Sequence, residues 1–253
     1  STPADDEPTV STDADLSWLG WLGAGVGLLV VALLPSLVRR GRRARRLAAA
    51  APREAVSEFE VQVRDRKSAS QAAARYGLVY SLLRAKDVPA AQREFEALRA
   101  LKVSSPMIAG LEAELRLARR DPAGAARIFR DARLRFPQAR RLLHGELEAL
   151  LEAGRPGEAL ELAKAETLAR PPSAGLWELR ARAESALGKR LAQHRSLAEV
   201  YAIQGNYAES ANQLALARAA GDGDFFEQSA VDSRLREVRV LLEEQLRETR
   251  QQR

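Results

Sequence analysis

The stretch DPAGAARIFRDARLRFP, residues 121–137, decides how this chain is read. Ala125, Phe129 and Ala132 follow one another at spacings of four and three, and Pro137 comes five later. Such a segment is a helix with one close-packing face. It has small residues where it crosses a partner helix, a bulky ring to plug the next unit, and a proline as its stop. Two neighbouring stretches repeat it. DVPAAQREFEAL (87–98) and RPGEALELAKAE (155–166) align with it on Ala91, Ala125 and Ala159, at intervals of 34 and 34 residues. Pro137 and Pro171 are also 34 apart, and so are Gly154 and Gly188.

A fixed 34-residue period with the pattern A-x3-F-x2-A-x4-P resembles the tetratricopeptide (TPR) repeat, a helix–turn–helix unit. The first unit offers Ala91 and Phe95 and departs at Leu98. The third has Gly154, Ala159 and Pro171, with Ala163 in place of the large residue; the fourth has Trp177, Ala181 and Gly188. The expected fold class is all-α: a TPR-type α-solenoid over 65–220, closed by a capping helix in 221–253 and preceded by one transmembrane helix. From Gly188 to Gly205 is only 17 residues, half a repeat, so one helix at about 191–203 should serve two neighbours. Residues 205–219 then form another helix. Asp224 and Glu227 form a capping box. Val231, Leu235, Val238, Leu241, Leu242 and Leu246 recur at helical spacing beyond it, covering the last apolar face of the array.

Outward from the repeats, the N-terminal part divides into three. Residues 1–15 carry five acids and no base, and read as disordered. Residues 16–38, LSWLGWLGAGVGLLVVALLPSLV, are 23 positions without a charge. At about 1.5 Å per residue they span a hydrocarbon core of about 30 Å. Trp18 and Trp21 mark one interface, and Gly23 and Gly27 form a small-xxx-small pair. Residues 39–64 are a basic juxtamembrane segment and a helical linker interrupted by Pro52, with six arginines within 39–46. That block is a topology anchor. By the positive-inside rule it places residues 39–253 in the cytoplasm of a single-pass, bacterial inner-membrane protein. A patch for anionic lipid or nucleic acid is the other reading of the same arginines.

Composition narrows the chemistry. The 253 residues contain no cysteine and two histidines, His144 and His194. This excludes disulfides, a thiol nucleophile and cysteine-ligated metal, and a three-ligand zinc site would need carboxylates. The net charge is +6, and over 47–253 the signs are evenly mixed and mildly basic, a poor footprint for nucleic acid. No cofactor or metal is expected.

Three later stretches carry a further likeness: LWELRARAESALGKR (176–190), QHRSLAEVYAIQGNYAES (193–210) and DFFEQSAVDSRLRE (224–237). Together they resemble the TPR tail of bacterial periplasmic zinc metalloproteases of the gluzincin type, which enhance outer-membrane barrel assembly. The likeness covers about 65–245 and is generic before 176. It implies a helical-repeat fold, a protein client, association with a protease or with outer-membrane assembly machinery, and a periplasmic location, against the charge rule. The catalytic H-E-x-x-H of those proteases, two histidines on one helical face with a glutamate base, has no counterpart here. His144 precedes Gly145–Glu146, and His194 precedes Arg195–Ser196. The chain is expected to be no enzyme. It opens on Ser1 rather than Met, so an H-E-x-x-H encoded in frame upstream would instead mark it as the substrate-handling half of a metalloprotease.

The functional surface of a TPR array is lined by the first helix of each unit. Registering the units by 34 places Tyr76, Tyr80, Glu114, His144, Glu148, Glu178 and Arg182 on that face, an aromatic and mostly acidic set. It lacks the lysine and asparagine set that clamps a C-terminal carboxylate. His194 matches the QH-x-x-LAE histidine of the resemblance and reads as a helix-packing residue with a hydrogen-bonded ring. The Gly221–Asp222–Gly223–Asp224 run reads as a turn and N-cap, since it lacks the remaining ligands of a calcium loop.

Overall fold

The structure, a computed structural model, describes Arg45 and residues 51–65, 71–169, 171 and 173–251. The acidic segment 1–15, the apolar run 16–38 and the rest of the arginine block lie outside the described residues. Among the described residues there are helices and loops and no strand. No described helix is long and apolar enough to cross a membrane.

The helices are α1 (Pro52–Arg64), α2 (Gln71–Arg84), α3 (Val88–Ala100), α4 (Pro106–Ala118), α5 (Pro122–Arg135) and α6 (Arg140–Glu152). They continue with α7 (Pro156–Ala169), α8 (Ala174–Ala186), α9 (Arg190–Ile203), α10 (Tyr207–Ala219) and α11 (Phe225–Gln251). Each packs on its neighbour in the chain. Helices α3, α5, α7 and α9 begin at 88, 122, 156 and 190, a constant step of 34.

One turn, repeated, produces that step. The residues with positive φ at the ends of α2, α4, α6 and α8 are Lys86, Arg120, Gly154 and Gly188, at 64°, 60°, 69° and 72°. The N–H of the residue after each reaches back five positions to a helical carbonyl: Asp87 to Leu82, Asp121 to Arg116, Arg155 to Leu150 and Lys189 to Glu184, all at 2.9–3.0 Å. These bonds satisfy carbonyls left open at a helix end. Asp87 and Asp121 then cap the next helix by accepting from the N–H of Ala90 (3.0 Å) and Gly124 (2.8 Å). The closure recurs at the half-step, where Asn206 N–H donates to Tyr201 O and the Asn206 side chain caps α10.

The first helices also touch one another, α2 with α4, α4 with α6 and α6 with α8, and so form a continuous row. Past α8 the parity changes: α9 packs on both α8 and α10, and touches α11. That is what the 17-residue half-step demands of one helix.

Packing follows the sequence pattern. Ala91, Ala125 and Ala159 are all fully buried at the helix crossings. A Cβ on Gly145 would collide with the Phe129 ring, and one on Gly77 with the Phe59 ring. Phe59 belongs to α1, which with Ala55 shares the first apolar cluster alongside α2, α3 and α4. The segment read as a linker is therefore built into the array from Pro52 onward, and Pro52 opens α1 rather than interrupting it.

Three apolar clusters divide the chain, centred on α1–α4, α4–α8 and α9–α11. Between the second and third stands a polar pair. Glu184 is buried, accepting from Ser196 Oγ at 2.6 Å and Arg180 Nε at 2.9 Å. A second buried carboxylate, Glu146, accepts from Arg133 Nε at 2.8 Å and Arg130 Nε at 3.2 Å. The terminal helix buries Val231, Leu235 and Val238; Leu241 and Leu242 are half-covered, and Leu246 is exposed. Its capping box is reciprocal, Glu227 N–H to Asp224 Oδ1 at 2.8 Å and Asp224 N–H to Glu227 Oε2 at 3.2 Å.

Candidate partner-binding groove

The seven residues expected on the groove fall into two columns of the row α2–α4–α6–α8. Tyr76, His144 and Glu178 form one, with Gly110 between the first two; Tyr80, Glu114, Glu148 and Arg182 form the other. Members of the two columns stand four apart on each helix, which puts them on one face.

Three of them share a cleft of about 300 Å3. Glu114, His144 and Glu148 line it together with Arg45, Arg141 and Met107. Gly110 and Gly145 lie in its wall, beside the Phe129 ring. Arg141 pairs with Glu114 at 3.8 Å. Burial pushes the Glu114 carboxyl above the usual carboxylate range, with Arg45 and Arg141 pulling the other way. Burial also pushes His144 below its ordinary value, opposed by Glu148 and, more weakly, by Glu178. His144 is half-buried and packs beside Gly175 at the start of α8.

Tyr76 and Tyr80 adjoin this cleft through one residue the sequence reading did not place there. Arg45 Nε donates to Tyr76 Oη at 2.8 Å. Its guanidinium carbon lies 5.8 Å from the centre of the Tyr76 ring and 5.6 Å from that of Tyr80. The rings are 6.3 Å apart and inclined by only 8°. Tyr76 is fully buried, so it forms the floor of the site rather than its wall; burial raises its hydroxyl to about 12 against the pull of Arg45. Glu148, Glu178 and Arg182 are exposed. The first lines the cleft, the second reaches it only through its charge, and Arg182 contributes nothing to it directly.

His194 sits apart from this surface. Gln213 turns its amide N–H toward Glu209 Oε1 (3.0 Å), which leaves its carbonyl to accept from His194 Nδ1 at 2.9 Å. This is a packing histidine between α9 and α10. Asp222 caps a distant helix: its carboxylate accepts from the N–H of Arg190 (2.6 Å) and Leu191 (2.9 Å), at the start of α9. Those bonds, Leu191's first, hold its carboxyl below the usual range. Among the described residues no group of three or more histidines and carboxylates could hold a metal ion.

Sequence reading also missed Glu146 and Glu184 as buried charges. Glu146 did carry a signal, because it falls four residues after Leu142 and four before Leu150, on the apolar stripe of α6.

No protein-family model matches the chain, and no curated protein matches it.

Proposed function

We propose that this chain is a membrane-anchored TPR scaffold that performs no chemistry itself and holds a protein or peptide client in bacterial envelope assembly or quality control. The observation that carries this is the cleft along α4 and α6. The first helices, stacked in a row, present Glu114, His144 and Glu148 together with cationic and aromatic neighbours on a rigid frame. A groove of mixed charge on preorganised helices suits an extended or helical segment. The 34-residue turn and the Ala–Phe–Ala packing support a TPR identity. The uncharged run 16–38 supports the anchor, and the QH-x-x-LAE-x-Y and RLRE stretches support a client in the envelope.

Photo-crosslinking tests the reading. A crosslinker placed at Glu148 in the cleft should capture a client in envelope membranes, and one placed at Arg127, exposed on α5, should not. Equal capture from both positions, or none from Glu148, overturns the groove. Chelator-sensitive cleavage of casein by the purified chain would overturn the non-catalytic part and favour the metalloprotease reading.

A further inference from the structure

We propose that the corner formed by Tyr76, Tyr80 and Glu114 is a guanidinium-binding site, that Arg45 is its intramolecular occupant, and that the client segment entering this end of the groove presents an arginine in its place. This rests on the groove reading above.

The chemistry selects arginine over other cations. Two nearly parallel phenol rings have their centres 5.8 and 5.6 Å from one guanidinium carbon, within cation–π reach. A planar, weakly hydrated guanidinium keeps such contacts while its edge N–H donates in a fixed direction. The Tyr76 hydroxyl accepts that donation at 2.8 Å from below. Glu114, in the neighbouring wall, faces the charge of Arg45 more strongly than that of any other cation. A lysine ammonium is a compact point charge that holds its water and cannot satisfy the rings and the hydroxyl with one geometry.

Arg45 comes from the sequence block 39–46, which holds six arginines. A tethered occupant competes at an effective concentration on the order of millimolar. An incoming client must displace it, so the basic segment of the chain sets the threshold for binding at its own groove. The two rings and the Tyr76 hydroxyl give this end of the groove its selectivity.

The test uses the full chain in detergent and a fluorescein-labelled peptide of its own sequence, RRGRRARRLA (39–48), with an all-lysine version as comparison. One variant carries Arg45→Lys together with lysine at the other five arginines of 39–46, which keeps the charge and removes the guanidinium. Anisotropy should show this variant binding the arginine peptide roughly tenfold more tightly than the wild type does. It should also prefer the arginine peptide to the lysine peptide by about fivefold. Adding Glu114→Gln, nearly isosteric, or Tyr80→Phe, which keeps the ring but removes its hydroxyl, should leave the fold intact by thermal melting. Glu114→Gln should reduce the preference, Tyr80→Phe should keep it because the ring remains, and Tyr80→Ala should abolish it. Equal binding of the arginine peptide by wild type and lysine variant would overturn the proposal, as would equal binding of the two peptides. The peptide measurement needs no client and the Glu148 crosslink needs no Arg45, so the site and the groove can fail separately.

Discussion

The ring of Phe129 occupies the space in which a Cβ on Gly145 would stand. Phe59 and Gly77 repeat the relationship two units earlier, Gly77 and Gly145 being 68 residues apart. The plug expected of the bulky residue is thus met by a hole in the first helix of the following unit.

Changing Gly145 to alanine sets two effects against each other. Helix propensity favours alanine by about 1 kcal/mol. Overpacking against the ring, a buried member of the second apolar cluster, costs about 1–3 kcal/mol. Urea denaturation should show a net loss of about 1 kcal/mol, and Phe129→Leu should lessen it when combined with Gly145→Ala. A raised midpoint for Gly145→Ala alone would show that the ring moves freely.

Ala125 is fully buried where α5 crosses its neighbours. Leucine there should destabilise by roughly 1–3 kcal/mol. A change of only a few tenths would mean that the crossing does not need a small residue.

Arg120 holds φ at 60° in the position that Gly154 and Gly188 fill in later units. The left-handed conformation costs a non-glycine residue about 1–2 kcal/mol, while glycine's extra freedom in the unfolded chain gives back about half. Arg120→Gly should therefore stabilise by up to about 1 kcal/mol, read as a higher urea midpoint; a lower midpoint would refute the turn assignment.

Acid should weaken the cleft through His144. Its folded form resists protonation mainly because it is buried, so its pKa lies below the ordinary 6.5. Below 6.5 the unfolded chain takes up a proton that the folded chain refuses, and stability falls as pH drops. Above 6.5 neither state is charged and the contribution is complete. Wild type should lose more stability than His144→Gln between pH 7.5 and 5.5, by parallel urea titrations. Parallel losses would place His144 in open solvent.

The anchor is tested by fractionation. The full chain should pellet with membranes and require detergent, whereas 47–253 should remain in the supernatant. Equal solubility without detergent would remove the anchor from the reading.

Much of this architecture was legible because its causes are local. A helix crossing demands Ala125, and a left-handed turn accepts Gly154; both write themselves into the chain every 34 residues. The half-step between Gly188 and Gly205 likewise announced the change of parity at α9. The groove columns followed from the same period. What it hid was long-range. Arg45 reaches Tyr76 across 31 positions, and no periodicity links an arginine block to a tyrosine pair. Asp222 looked like part of its own turn but caps a helix that starts 32 residues before it. Tyr76 lies in the groove column by register, yet burial makes it a floor, which only the packing around it could decide.

The polar contact between Glu184 and Ser196 has a consequence for heredity. It lies between two apolar clusters that share no member, close to the turn at Gly188. A recombination event at Gly188 would leave both clusters whole, and the incoming tail would have to restore the packing of α9 on α8 together with a hydroxyl opposite Glu184. A chimaera joined there should melt as one unit when the new tail carries serine at that place. With alanine it should melt at a lower temperature, because a buried carboxylate would then have lost a partner across the joint.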